Sequence, residues 1–415
     1  MSNVLIHAAR IFDPFSGLDM VGDIRIEGGR IAGIGRVAGT GSEGDPAGSE
    51  VVEARGLFAV PGLIDIHAHV LPDLAPLCVD PDRAGTGVGV TTVCDAGSIG
   101  WANLDEAMDL LARRAVASEV LLFVHLAPEG EKTLPETGYD RWDRGAARAA
   151  IERHRDRVAG IKVRAVEAAI SGAGIDVFAT AADFAHGLGL PLMVHVGDKG
   201  ADHLVPDALY AETTRILGLL GKGDILTHAY TPFPGGLFRD GKPIPGLEAA
   251  IARGVLLDAS PGRGQFSFPV ARSAIALGFR PDLAGTDTVS IPEAQPHFYN
   301  VAAILSKFMA LGLSFSEVVA MATGNAAKAV GRADSSGSIA VGRVADLTLL
   351  RRERGPSVLH DGGSGNMRLG WNFLRPVATI RAGRLHGIST AITGHRVDPV
   401  AVYRQLRARK KPSGR

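Results

Sequence analysis

Two cysteines in 415 residues, Cys78 and Cys94, are too few for a disulfide framework. Net charge is also absent: 44 basic residues balance 44 acidic ones, so no global field draws in nucleic acid or an anionic membrane. No apolar run approaches the ~20 residues needed to span a bilayer, and the opening "MSNVLIHAARIFDPFSG" lacks the basic-then-apolar plan of a secretory leader. The expectation is a cytoplasmic protein that recognises a small molecule locally, with neither nucleic acid nor membrane as partner. Aromatics are scarce at 6%, yet 46% hydrophobic residues against 21% charged ones supply a large core and exclude a disordered chain.

What is present is alternation of two kinds. "NVLIHAARIFD" and "GDIRIEGGRIAGIG" alternate apolar and polar residues around a Gly-Gly turn, which predicts a β-hairpin; "AGTGSEGDPAGSE" then reads as a loop. The same period returns in "GSIAVGRVADLTLL" and "PVATIRAGRLHG", so the two ends are expected to pair into one small β-sandwich domain built from residues 1–58 and 336–395. Between them, residues 59–335, short apolar runs alternate with helical-period stretches such as "DEAMDLLARRAV", which implies a parallel sheet. Eight strand candidates follow in order: "GLIDIHAHV", "TTVCDAG", "EVLLFVHLA", "AGIKVRA", "PLMVHVGD", "ILTHAY", "GVLLDAS" and "LAGTDTV". Eight β/α units predict a closed (β/α)8 barrel of the TIM type, an α/β fold whose active site gathers at the C-terminal ends of the strands. A basic tail, residues 396–415, is read as solvated surface.

Each strand candidate turns polar at its C-terminal end. Those ends carry His67 and His69, then Lys162, His195, His228 and Asp287. Residues i and i+2 of a strand share a face, so His67 and His69 are placed to hold one ion, and imidazole is a preferred ligand of zinc-like cations. Lys162 is out of place beside a cation while protonated. Burial and positive neighbours favour its neutral form, which adds carbon dioxide to become an anionic carbamate with two oxygens.

At this point the residues are similar to a known group. "PGLIDIHAH", the strand ends at Lys162, His195 and His228, "GTDT" around Asp287 and the closing "GSIAVGRVADLTLL" resemble the amidohydrolase superfamily of metal-dependent hydrolases. "GVTTVCDAGS", "GIKVR" and "SKFMALGLSFSEVVAMATGNAAKAVGR" most resemble its dihydroorotase-like deacetylase branch, whose members remove acyl groups from N-acyl amino acids or O-acyl hydroxy acids. The resemblance implies two divalent ions, usually zinc. His67, His69 and Asp287 would hold the buried ion and His195 and His228 the exposed one, with carboxylated Lys162 and a water or hydroxide bridging them. Two loops depart from that branch, where a Gly-His-Gly turn often follows strand seven and a histidine soon follows the strand-eight aspartate; here they read "SPGRGQFSF" and "TDTVS".

The expected reaction is hydrolysis of an amide or ester bond in a small acyl substrate. A water shared by the ions is the nucleophile, and Asp287 carries its proton to the leaving amine or alkoxide. Arg164 and Arg263 are candidates for holding a substrate carboxylate, and Tyr230 and Tyr299 for reaching the pocket; His125 is assigned to a hydrogen-bond network, and Cys94 to inert core. A cyclic amidase or lactonase of dihydroorotase or hydantoinase type is the alternative on the same centre, and a non-catalytic scaffold the rival of another class. A homo-oligomer is expected by analogy with such barrels.

Overall fold

The computed structural model describes residues 3–35, 50–132, 138–166, 170, 174–200, 206–262, 264–290, 300–361 and 367–388. Arg263, Tyr299 and the basic tail lie outside them. The N-terminal segment forms β1 (Val4–Asp13), β2 (Leu18–Glu27), β3 (Arg30–Gly35), β4 (Glu50–Glu53) and β5 (Phe58–Pro61). The central part supplies β6 (Leu63–Ala68), β7 (Val90–Gly100), β8 (Glu119–His125), β9 (Val158–Arg164), β10 (Leu192–His195) and β11 (Ile225–Thr227). A short hairpin follows, β12 (Phe238–Arg239) with β13 (Lys242–Pro243), and then β14 (Leu256–Asp258). The C-terminal part adds β15 (Leu347–His360), β16 (Met367–Arg381) and β17 (Arg384–Gly387).

The two ends of the chain join in one hydrogen-bonded sheet, ordered β17-β16-β15-β5-β1-β2-β3 with β4 beside β1. Its core is β-branched and leucine-rich, as half-buried strands require: Ile6, Ile11, Ile24 and Ile26 pack on Leu347, Leu349 and Ile380. Thr348 fastens this sheet to the barrel. Its hydroxyl donates to Gly89 O at 2.7 Å and accepts the Leu63 amide at 3.1 Å.

The central strands make a seven-stranded parallel sheet ordered β14-β11-β10-β9-β8-β7-β6. Strands β6 to β8 are buried along almost their whole length because helices cover the outside and side chains fill the inside, so both faces are dry. Ile64, Ile66, Leu121, Phe123, Met193 and Ile225 fill the barrel interior. The outer layer packs against helices such as Asp176–Gly187 and Val301–Ala310, through Phe178, Phe184 and Phe308.

The eighth candidate, "LAGTDTV", forms no ladder. It closes the barrel through two isolated parallel bridges, Asp258 with Leu283 and Ala68 with Thr288, and through amides of Thr286 and Asp287 that both donate to His67 O. The reason is local: Asp287 adopts φ 55°, a left-handed conformation that no pleated strand continues.

Candidate metal centre

A register shift builds the entrance to the site. Pairing of β6 with β7 slips between Asp65 and Ala68, so the inward face passes from Ile64 and Ile66 to His67 and His69. Lys162 comes from β9 and is fully buried; His195 ends β10 and is in register with Arg164 of β9. His228 lies one residue beyond β11 at φ 64°. The left-handed His228 and Asp287 each cost on the order of 1–3 kcal/mol, strain that concentrates at functional sites. Gly97, at φ +97°, leaves room for the lysine: a Cβ there would lie 2.7 Å from Lys162 Cγ.

The six side chains form one continuous cluster. Asp287 Oδ1 is 3.5 Å from His67 Nε2 and 3.3 Å from His69 Nε2, and Lys162 Nζ is 3.3 Å from His67 Nε2. The His228 ring centroid is 5.0 Å from that of His67 and 4.2 Å from that of His195. Among the described residues, His67, His69 and Asp287 are a group whose ligand atoms all lie within 4.8 Å of one another.

Hydrogen bonds fix which nitrogen of each ring is available. The Thr227 hydroxyl donates to Asp258 at 2.6 Å, so it accepts from His67 Nδ1 at 2.7 Å. Ser98 likewise donates to Asp95 at 2.8 Å and accepts from His69 Nδ1 at 2.8 Å. His228 Nδ1 donates to Ser260 O at 2.6 Å. His195 is reversed: its Nε2 donates to Gly197 O at 3.2 Å, beside Gln265 Nε2, which donates to the same carbonyl at 3.1 Å. His67 and His228 therefore keep an Nε2 lone pair and His195 an Nδ1 lone pair, while His69 Nε2 faces Asp287 Oδ1 at 3.3 Å and offers a lone pair once its proton is lost.

Burial sets the protonation states. It pushes His67 and His195 well below the ordinary histidine range, reinforced at His67 by the Lys162 charge and at His195 by His228. It brings His228 down to about 4, and the Asp287 charge opposes this only in part. Lys162 falls to about 8, again by burial, with Glu131 and Asp287 opposing. His69 moves the other way, because Glu131 and a hydrogen bond to Asp287 outweigh its burial. Burial alone would raise Asp287, but the same bond to His69 and the cationic surroundings hold it below the usual carboxylate range.

This donor set fits a divalent cation. His228 Nε2 is buried with no hydrogen-bond partner among the described residues, and two further imidazole lone pairs and a carboxylate oxygen converge beside it.

Tyr230 requires a correction. It was a candidate for contacting substrate, but it is fully buried, donates its hydroxyl to Phe279 O at 3.3 Å and packs against Phe266 and Phe308. Two residues past His228 the chain has turned, so this ring faces the layer between barrel and helices. Arg164 is half-buried near Lys162 and His195, whose protonation its charge lowers. His125 is buried and its Nδ1 accepts the Ala127 amide at 3.0 Å, a network role; burial drives the Cys94 thiol well above its ordinary range.

Sequence reasoning missed Glu131, whose carboxylate is 3.9 Å from His69 Nδ1, and the partners Asp95, Ser98, Thr227, Asp258 and Gln265. A signal was there for four of them, since "CDAGS" and "THAY" with "LDAS" place a carboxylate and a hydroxyl at strand ends that point inward.

Comparison with known proteins bears on the family and the fold. The family model described as "Amidohydrolase family" matches residues 58–360. A deacetylase of Agrobacterium fabrum is 30% identical over 325 residues, covering 77% of each chain. Two crystal structures superpose with a TM-score of 0.80. One is of an adenine deaminase, 26% identical and covering 93% of this chain and 100% of that one; the other is of a dihydroorotase, 25% identical and covering 94% and 100%. With its barrel, its small sheet and its buried histidine cluster, the chain belongs to the amidohydrolase family, hydrolases that act on carbon–nitrogen bonds and are generally metal-dependent.

Proposed function

We propose that the protein is a two-metal deacylase that removes a short acyl group from the nitrogen of an N-acyl amino acid, or from the oxygen of an O-acyl hydroxy acid. The observation that carries this reading is the convergence of His67 Nε2, His69 Nε2 and Asp287 Oδ1 on one point, with His228 Nε2 and Lys162 Nζ alongside. His67, His69 and Asp287 would hold one ion and His195 and His228 the other, with Lys162, as its carbamate, between them. Bound there, zinc-like ions would lower the pKa of a coordinated water towards neutrality and polarise the scissile carbonyl.

The chain's own residues supply the rest. Asp287, held ionised by its cationic surroundings, takes the proton of the attacking water at Oδ1 or Oδ2 and delivers it to the departing nitrogen or oxygen. Arg164, half-buried near Lys162 and His195, and Arg263, which follows β14 in the sequence, would hold the substrate carboxylate through paired N–H donors. Buried Met193, 3.8 Å from Lys162 Nζ, and the apolar barrel interior beneath the site exclude bulk water. The Agrobacterium fabrum relative, named a deacetylase, supports this choice of bond. Ring opening of a cyclic amide is the second reading, supported by the likeness to a dihydroorotase.

The test is a hydrolysis panel on zinc- and bicarbonate-loaded protein: N-acetyl amino acids, O-acetyl hydroxy acids, dihydroorotate and hydantoins. Turnover of the linear acyl acids is expected. Turnover of the rings alone would replace this reading with the second, and turnover of none would overturn both.

A further inference from the structure

We propose that His67 and His69 are held by two matched relays, from Asp258 through Thr227 to His67 and from Asp95 through Ser98 to His69. These relays make the position between His67, His69 and Asp287 the tighter of the two metal positions. The proposal rests on the metal-dependent reading above, and it assigns Asp95, Ser98, Thr227 and Asp258 as positioning residues.

Each relay has one direction. A hydroxyl carries a single hydrogen, and Thr227 gives it to Asp258 Oδ2 at 2.6 Å, leaving only lone pairs for His67 Nδ1 at 2.7 Å. Ser98 gives its hydrogen to Asp95 Oδ2 at 2.8 Å and receives His69 Nδ1 at 2.8 Å. The carboxylates are themselves fixed: Asp95 also accepts the amides of Val70 at 2.8 Å and Ser98 at 2.9 Å, and Asp258 accepts the Ser260 hydroxyl and the Gly285 amide at 2.8 Å. All four relay residues are fully buried, so water does not compete for these bonds.

The other two imidazoles are held differently. His228 and His195 donate to the neutral backbone carbonyls of Ser260 and Gly197, at 2.6 and 3.2 Å. A carbonyl orients a ring and lends it a dipole. A buried carboxylate acting through a polarised hydroxyl does the same and also lends negative charge, which strengthens the opposite nitrogen as a donor to a cation. Strands β7, β11 and β14 contribute the relay members, so the rings of His67 and His69 are both braced from outside β6.

The test is zinc titration of metal-free, bicarbonate-supplied protein against a competing chelator, with no assay of activity. Two classes of site are expected. Thr227→Val and Ser98→Ala should each raise the tighter dissociation constant about 10–100-fold and leave the weaker class unchanged, while Thr227→Ser restores wild-type binding. Either substitution leaving the tight class untouched, or weakening both classes alike, would overturn the proposal. Should Thr227→Val fail to fold, the comparison of Ser98→Ala with wild type carries the same decision. A single zinc class that weakens in these variants would support the relays and remove the two-ion reading; a single class that does not weaken would remove both.

Discussion

The seven laddered strands and the points where the chain leaves the ladder do different work. On the strands, position follows from register: Lys162 and Arg164 on β9 and His195 at the end of β10 stand where parallel pairing puts them. His228, just past β11, and Asp287, in the unladdered eighth segment, instead have left-handed backbones. A pleat presents side chains along two fixed directions, whereas a left-handed residue aims one at a point the pleat does not reach. The ladder thus sets out a rim of imidazoles and an amine, and the breaks bring in His228 and the carboxylate of Asp287, which lies against His67 and His69.

Replacing the group at the main break should have the largest effect. Asp287→Asn keeps the shape and removes the base, so kcat should fall about 10²- to 10⁴-fold with bound metal retained; a near-normal rate would move the proton carrier elsewhere. Next comes the fit of the eighth segment. A Cβ at Gly285 would lie 2.2 Å from Ser260 Oγ and 2.6 Å from His67 Cβ, so Gly285→Ala should lose about 1–3 kcal/mol in denaturant unfolding. An unchanged midpoint would show that the closure tolerates slack.

The break at His228 should show in the pH dependence of the metal-free protein. Its folded pKa of about 4 lies below the ordinary histidine value of 6.5. Across that window the unfolded chain binds a proton that the folded one refuses, so stability falls as pH falls from 6.5 towards 4. The thermal midpoint of His228→Gln should fall less steeply there, and parallel curves would contradict the assignment. The smallest effect is expected beyond the break, at Tyr230. Tyr230→Phe loses one buried hydrogen bond to Phe279 O, worth about 0.5–1.5 kcal/mol, with KM unchanged; a raised KM would return this ring to the pocket.

The same comparison explains what was legible in the sequence. Seven strands announce themselves because a parallel strand buried on both faces is an unbroken apolar run, and five site residues sit at the ends of such runs. The HxH pair reads correctly as sharing a face, although the slip after Asp65 that turns that face inward leaves no mark in the composition. Around "GTDT" the apolar period suggests an eighth strand. Backbone conformation at Asp287 overrides it, and a single φ value has no periodicity to detect. Tyr230 misled for the same reason, since counting from β11 assumes a pleat that ends at His228. The partners of the imidazoles left only a faint mark, a carboxylate or hydroxyl at a strand end, because Ser98, Thr227 and Asp258 are ordinary residues until the barrel brings them against rings 29 or more positions away.

The measurement closest to the central claim is metal content per chain, by elemental analysis of protein prepared with zinc and bicarbonate, alongside Lys162→Ala. The account predicts two ions per wild-type chain and a loss on replacing Lys162. A chain that binds no zinc while correctly folded would contradict it.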